Sequence, residues 1–149
     1  MLKATILTWI IAISGSVFLG ILLIVQMIML INPRGRKTKD LLIGEGKEWH
    51  DHTHFRIAYA FAWADWIIIM PTLLIGNIAV LLGLAWGYII WIALGVLCLY
   101  FSILFWVFEK EYTYPSAGPF AYYTYYWGVY VYWGIGVLAY SIIRLNGAT

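Results

Sequence analysis

Four long apolar stretches constrain the fold of this chain more than any other feature of its sequence. A membrane-spanning helix needs about 20 predominantly apolar residues. Four segments reach that length, at residues 4–31, 55–83, 87–108 and 118–145. Of the 149 residues, 64% are hydrophobic and 11% are charged, which is more apolar surface than a water-soluble core of this size can bury. We therefore expect an all-α integral membrane protein with one transmembrane domain over residues 1–149.

The segments between the spans predict how the helices are connected. Residues 32–54 and 109–117 form polar loops, and residues 84–86 leave room only for a tight turn. Connections this short join antiparallel neighbours, so an up-down-up-down four-helix bundle is expected. The first span is interpreted as a retained helix, because its apolar run exceeds the roughly 7–15 residues typical of a signal peptide.

Most of the basic residues lie in or beside one loop. They are Arg34, Arg36, Lys37, Lys39, Lys47 and Arg56. The positive-inside rule places loop 32–54, and with it loop 109–117, in the cytoplasm, so both termini are expected on the opposite side. Lys3 and Arg144 oppose this orientation only weakly. Because the basic residues adjoin apolar spans, they indicate contact with the headgroups of a lipid bilayer and not with nucleic acid.

Small and weakly polar residues recur at helical spacing on every predicted span. Helices in lipid pack largely through such residues, so these faces are expected to meet inside the bundle. The second span carries Ala58, Ala62, Asp65, Thr72 and Gly76. The other three carry Ala12, Ser16 and Gly20, then Gly87, Trp91, Gly95, Cys98, Ser102 and Glu109, and finally Ala121, Thr124 and Gly128.

Asp65 is an acid near the middle of a predicted span. At 1.5 Å per residue it lies about 15 Å along the helix from Phe55. An unpaired carboxylate at this depth costs about 2.5–3.5 kcal/mol or more, so the group is expected to be protonated, paired or open to water. It is either a functional group or a protonated acid that joins helices through a Tyr, Trp or Ser. Pro71 has no N–H group to donate to the Ile67 carbonyl. It marks either a bend in the helix or an ordinary transmembrane proline.

Aromatic residues are abundant on the spans around this acid. A carboxylate between aromatic walls suits a cationic molecule, or a flat hydrophobic molecule with one polar group. The predicted binding residues are Asp65, Trp63, Trp66, Thr72, Trp91, Ser102, Glu109, Tyr125 and Tyr132. Aromatic packing without a ligand explains the same residues equally well, and tyrosines at the membrane interface are expected in any case.

Three alternating histidines form a second candidate site. On an extended backbone, alternate side chains point the same way and can chelate a metal ion. The predicted metal ligands are His50, His52 and His54 from one loop and Glu111, together with Glu109, from the other.

Helical structure at these histidines would disfavour chelation. The second helix is expected to begin near Thr53, with Asp51 or Thr53 as its N-cap. A helix separates alternate residues by about 200° around its axis. A polar collar at headgroup depth is the simpler interpretation, and the sequence indicates no particular cofactor.

The motif "DWIIIMP" at residues 65–71, together with the four-helix plan, resembles the EXPERA group of sterol isomerases and sigma-2-like receptors. The resemblance implies an intramembrane acid that binds cationic or sterol-like ligands. The chain departs from that group in the predicted position of its termini. It also has Gln26 as the only comparable polar residue of the first helix, where the group would carry a second acid.

Three functions are compatible with these features. The first is binding of a hydrophobic or cationic small molecule at Asp65, in a receptor, small transporter or isomerase. The second is an accessory or scaffold subunit of a larger membrane complex, or a homo-oligomer. The third is a membrane metalloenzyme that uses the histidines and glutamates. No P-loop, nucleophile elbow or dinucleotide fingerprint is present, so no reaction is indicated.

Overall fold

A computed structural model describes residues 2–112 and 128–147, including their side chains except those of residues 108–112. Every regular element in these two ranges is helical, which confirms the all-helical prediction for this part of the chain. The elements are α1 (Ile6–Ile31), α2 (Arg36–Leu42), α3 (His52–Ala64), a π-helical turn (Asp65–Ile69), α4 (Met70–Leu81), α5 (Ala85–Tyr112) and α6 (Val129–Leu145).

Three helices are long and apolar enough to cross a membrane. They are Ile6–Ile31, the continuous stretch His52–Leu81 and Ala85–Val107. Large apolar side chains such as Ile67 and Ile103 are exposed on them, as expected for surfaces that face lipid. The length and composition of these helices identify the chain as a membrane protein.

The last helix begins later than the sequence suggested. α6 is apolar and has 17 residues. Gly128 precedes it with a φ of +68°, a left-handed conformation that glycine adopts without a steric penalty. The single helix predicted over residues 118–145 is corrected at its start, because the described helix begins at Val129, directly after the left-handed Gly128. Residues 113–127, which include the predicted inward positions Ala121 and Thr124, lie outside the described residues.

The loop predicted at residues 32–54 contains a short helix that was not expected from the sequence. The seven residues of α2 span too few turns for a periodic apolar pattern to be visible. Thr38 fixes this helix against the end of α1, because its hydroxyl group donates to the Asn32 carbonyl at 2.7 Å. Asp51 caps α3 by accepting the His54 N–H at 2.8 Å, which confirms one of the two predicted caps.

A π-helical turn lies directly before Pro71. In this turn the Met70 N–H donates to the Asp65 carbonyl, five residues earlier instead of four. The wider turn accommodates a residue that has no N–H of its own and whose ring would crowd the preceding α-helical turn. The sequence allowed either a bend or an ordinary transmembrane proline at Pro71, and the structure shows a π-helical turn with one extra residue directly before it.

Beyond the π-helical turn, the buried face of the second membrane helix agrees only in part with the predicted stripe. After Asp65 the buried positions are Ile69, Leu73, Gly76, Ala79 and Val80, which confirms the predicted inward position of Gly76. The predicted inward residue Thr72 is only half-buried, and its hydroxyl group donates to the Ile68 carbonyl at 2.5 Å. The prediction for Thr72 is wrong because its neighbour Leu73 takes the inward position.

The buried face of α1 also differs from the predicted stripe. Ala12 is buried as expected, but Ser16 is exposed and Gly15 takes the inward position. A Cβ atom on Gly15 would overlap Cζ2 of Trp133 in α6, so only glycine fits beneath this ring. Among the described residues, no other group lies within 4 Å of a Cβ atom placed on Gly20, so no close helix contact is described at this residue.

Glycines determine how closely α5 approaches its two neighbours. A Cβ atom on Gly87 would lie 2.6 Å from the backbone nitrogen of Val80 in α4. A Cβ atom on Gly95 would lie 3.0 Å from the carbonyl oxygen of Gly134 in α6. Both glycines were predicted to face inward, and both are buried. Close backbone contact at small residues is a common way for helices to associate in lipid.

The N-terminal segment, the turn after α4 and the end of α6 meet at one end of the molecule. The Leu2 N–H donates to the Gly83 carbonyl at 2.9 Å. Arg144, which is only 4% exposed, donates from its guanidinium group to the Lys3 carbonyl. Its Nε lies 3.4 Å from the hydroxyl group of Tyr88. Arg144 is therefore buried inside the protein, although the sequence places it near the end of the last predicted span.

Candidate functional site

A small cavity lies beside Asp65, between α1, the π-helical turn, α5 and α6. Its lining consists of Leu19, Leu22, Asp65, Ile69, Cys98, Phe101, Ser102, Phe105 and Tyr130. The volume of this cavity is about 20 Å³, measured as the space open to the centre of a water molecule. This is room for one water molecule or a chemical group of that size. It is far below the roughly 300–1,000 Å³ of a pocket that encloses a whole drug-sized ligand.

Asp65 and Ser102 are polar residues of the cavity wall, and Gln26 lies beside Asp65 without lining the cavity. Asp65 is 4% exposed, and the Gln26 side chain is a hydrogen-bond partner of its carboxyl group. Ser102 is 3% exposed and contributes a hydroxyl group to the wall. Within residues 2–107 and 128–147, neither this hydroxyl group nor Oε1 of Gln26 has a hydrogen-bond partner. The cavity therefore has hydrogen-bonding capacity that a guest would satisfy.

The energetics favour an occupied site. A buried polar atom without a partner costs about 1–3 kcal/mol, because it has lost its bonds to water. A carboxylate in the hydrocarbon region costs more unless a cation or a hydrogen-bond donor accompanies it. Asp65 and Ser102 together match a guest that carries a positive charge or several N–H or O–H donors.

The structure brings together only part of the predicted binding set. Asp65 and Ser102 line the same cavity. Trp66 is half-buried and donates its indole N–H to the Leu23 carbonyl at 3.1 Å, while Trp91 is fully buried and donates to Oδ1 of Asn77 at 2.9 Å. Both indole groups therefore have partners in helix packing.

Other members of the predicted set face away from the cavity or cannot be placed. Trp63 and Tyr132 are 48% and 75% exposed, so they face the surroundings of the protein. Thr72 is half-buried beside the inward-facing Leu73 and does not line the cavity. The side chains of Glu109 and Tyr125 lie outside the described residues.

The aromatic wall comes from residues that were not among the predicted binding set. Phe101 and Phe105 line the cavity from α5, and Tyr130 lines it from α6. The hydroxyl group of Tyr130 donates to the Phe18 carbonyl at 3.1 Å, which joins α6 to α1. Phe101 and Phe105 follow Cys98 and Ser102 at intervals of three residues, so extension of that stripe would have found them.

The histidines do not converge on one point. His54 is buried and packs edge-on against Trp49, with ring centroids 5.1 Å apart, whereas His50 and His52 are exposed. The Nδ1 atom of His54 accepts the backbone N–H of His50 at 3.4 Å. Because α3 begins at His52, the helix separates His52 from His54 as expected for helical spacing.

A metal site made from these histidines remains a prediction. Among the described side chains, no three His, Cys, Asp or Glu residues lie close enough to hold a metal ion together. The predicted additional ligands Glu109 and Glu111 have side chains outside the described part of the chain.

Comparison of the chain with protein families, with curated proteins and with solved structures gives no match. The resemblance to the EXPERA group therefore rests on residues 65–71 and the helical plan. The interpretation of function depends on the physical chemistry of the Asp65 cavity.

Proposed function

We propose that this chain is a small membrane binding protein in which Asp65 anchors the cationic or hydrogen-bond-donating group of a hydrophobic small molecule. The supporting observation is the buried carboxyl group of Asp65 beside a cavity whose Ser102 hydroxyl group has no partner in the described part of the chain. A donor group of the guest satisfies both side chains at once. Hydrogen bonds to a charged group contribute about 1.5–3 kcal/mol each.

The size of the cavity limits what enters it. Only the polar end of the guest fits within about 20 Å³. Phe101 and Phe105 offer aromatic surface beside that end, which attracts a cation through the ring quadrupole. The apolar body of the guest lies outside the cavity, in lipid or along the helices. This arrangement favours an amine with a flexible apolar tail over a rigid molecule that needs full enclosure.

The proposal is tested with two probes of matched shape, phenylbutylamine and phenylbutanol. The amine is expected to raise the melting temperature of the purified protein in mild detergent more than the alcohol does. Asp65→Asn is expected to weaken binding of the amine about tenfold or more, because one charge-assisted hydrogen bond is lost. The control is Asp40→Asn, since Asp40 pairs with Arg36 at 3.8 Å outside the membrane helices. Unchanged amine binding by Asp65→Asn protein would contradict the proposal.

We also infer that α6 belongs to a fourth crossing of an up-down-up-down bundle, with loops 32–54 and 109–117 in the cytoplasm. The hydrogen bonds from Leu2 to Gly83 and from Arg144 to Lys3 support this plan. They join the beginning of α1, the end of α4 and the end of α6 at one level. The basic residues that follow α1 lie at the opposite end of the bundle, and the positive-inside rule assigns that end to the cytoplasm.

Labelling of cysteines introduced one at a time tests this topology. We expect Asn146→Cys to react with a membrane-impermeant maleimide in intact cells, and Arg36→Cys to react only after permeabilisation. Both positions are exposed, and the parent chain is a suitable background because its one cysteine, Cys98, is buried. Equal labelling of both positions in intact cells would contradict four crossings, and the reverse pattern would contradict the orientation.

A further inference from the structure

A second and wider pocket lies where α1 ends and α3 begins. Its walls include Arg34, Lys39, Glu48, Trp49, Asp51 and Phe55. The space available to the centre of a water-sized guest is about 390 Å³, which is within the range of small-molecule sites. It is separate from the cavity at Asp65, which lies about 15 Å further along the same helix.

The pocket presents charges of both signs. Lys39 and Glu48 neutralise each other through an ion pair of 2.5 Å. The guanidinium group of Arg34 lies 5.5 Å from the centre of the Phe55 ring, and no described carboxylate forms an ion pair with it. Asp51 accepts the backbone N–H of His54, and this hydrogen bond lowers the pKa of Asp51 below its usual value. At neutral pH the pocket therefore offers one available cation and one fixed anion.

Aromatic rings complete the pocket. Trp49 packs edge-on against Phe55, with ring centroids 5.5 Å apart. The indole N–H of Trp49 is buried without a hydrogen-bond partner among the described residues. The rings offer π faces to an ammonium group, and the indole group is a further donor in the wall.

The position of the pocket points to the membrane surface. α1 ends at Ile31 and the next membrane helix begins at His52, so the pocket lies where both helices leave the apolar region. Tryptophan and basic residues are typical of this headgroup layer. A guest at this depth with a phosphate and an ammonium group would match Arg34 and Asp51 simultaneously.

We propose that this pocket binds a zwitterionic phosphoethanolamine group, with the phosphate at Arg34 and the ammonium at Asp51 and the rings of Trp49 and Phe55. Arginine suits phosphate because its planar guanidinium group donates two parallel hydrogen bonds. Carboxylate and aromatic faces suit an ammonium group. The same chemistry is present in a phospholipid headgroup and in a soluble phosphoethanolamine ester.

The experiment uses the full-length protein, purified in detergent and depleted of lipid. Dioleoyl phosphatidylethanolamine, dioleoyl phosphatidylglycerol and free phosphoethanolamine are added separately, and binding is followed by native mass spectrometry and by the shift in melting temperature. We expect wild-type protein to bind the ethanolamine lipid at least fivefold more tightly than the glycerol lipid. A shift with free phosphoethanolamine at equal concentration identifies a soluble ester as guest, and a shift with lipid alone identifies the bilayer.

Two variants separate the charges of the pocket. Arg34→Ala is expected to weaken binding of both lipids at least fivefold, because both contain a phosphate. Asp51→Asn is expected to abolish only the preference for the ethanolamine lipid, since asparagine caps a helix as well as aspartate does. Arg36→Ala is the matched control, because the Arg36 side chain is 84% exposed and pairs with Asp40 outside the pocket.

Two results would overturn the proposal. One is equal binding of the two lipids by the wild-type protein. The other is an equal loss of binding in the Arg34→Ala and Arg36→Ala proteins, which would indicate a diffuse effect of positive charge. Asp65→Asn protein is expected to keep its lipid preference, so this test is independent of the proposed function.

Discussion

Gly87→Ala is expected to lower the free energy of unfolding by roughly 1–3 kcal/mol, the usual cost of overpacking a well-packed contact. The added methyl group would lie 2.6 Å from the backbone nitrogen of Val80, and 2.8 and 2.9 Å from Cβ and the carbonyl carbon of Ala79. These atoms cannot rotate away as the end of a flexible side chain would. The short turn at Gly83 also restrains α4 and α5 from separating. Unfolding in mixed detergent micelles, followed by circular dichroism, measures the effect.

Gly136→Ala is the matched control for this prediction. Gly136 is an exposed residue of α6, and within the described part of the chain no other group lies within 4 Å of a Cβ atom placed there. Alanine favours a helix over glycine by about 1 kcal/mol, so the control is expected to be neutral or slightly stabilising. Equal destabilisation by both substitutions would show that the close approach of Gly87 to α4 is not what limits packing.

Arg144→Ala is expected to destabilise the protein by about 3 kcal/mol. The Tyr88 hydroxyl group is fully buried, so the loss of its donor costs about 1–3 kcal/mol, and the part-buried Lys3 carbonyl loses a donor as well. The cation–π contact between Arg144 and Tyr88, at 5.7 Å, is lost as well. Arg144 lies in the last turn of α6, where a positive charge also interacts favourably with the helix dipole. The midpoint of unfolding in mixed micelles reports the loss.

Two control variants identify the interaction that matters. Lys3→Ala is expected to have little effect, because Arg144 contacts the backbone carbonyl of Lys3 and the Lys3 side chain is exposed. Arg144→Lys is expected to recover part of the stability, since it keeps the charge but loses the planar fork of donors. Full stability in the Arg144→Ala protein would mean that this end of the molecule does not depend on the guanidinium group.

The sequence predicted features that depend on one helix at a time. The membrane spans follow from local hydropathy, and the inward position of Asp65 follows from the spacing of small residues on its own helix. Gly87 and Gly95 are small residues in an apolar helix, and both lie at close helix contacts. Asp51 was identified as a cap because short polar side chains accept a hydrogen bond from the first turn of a helix.

Features that depend on two helices were not predictable in the same way. Gly15 and Ser16 are neighbours, and both are small residues suited to a helix contact. Only the position of Trp133 on α6 decides which of them faces inward. Trp63 and Tyr132 seemed suitable for a pocket wall, but aromatic side chains are equally stable against lipid at a membrane surface. The rotation of each helix about its axis determines which side chains line the cavity at Asp65. The composition of the helix does not reveal that rotation.

The π-helical turn at Asp65–Ile69 has a consequence for how relatives of this chain should be aligned. One additional residue turns everything that follows by about 100° around the helix axis. A relative with a regular helix here would match both halves of the span only if a one-residue gap were placed inside the turn. Without that gap, the positions after Pro71 would be compared in the wrong rotational register, and a shared acid could be overlooked.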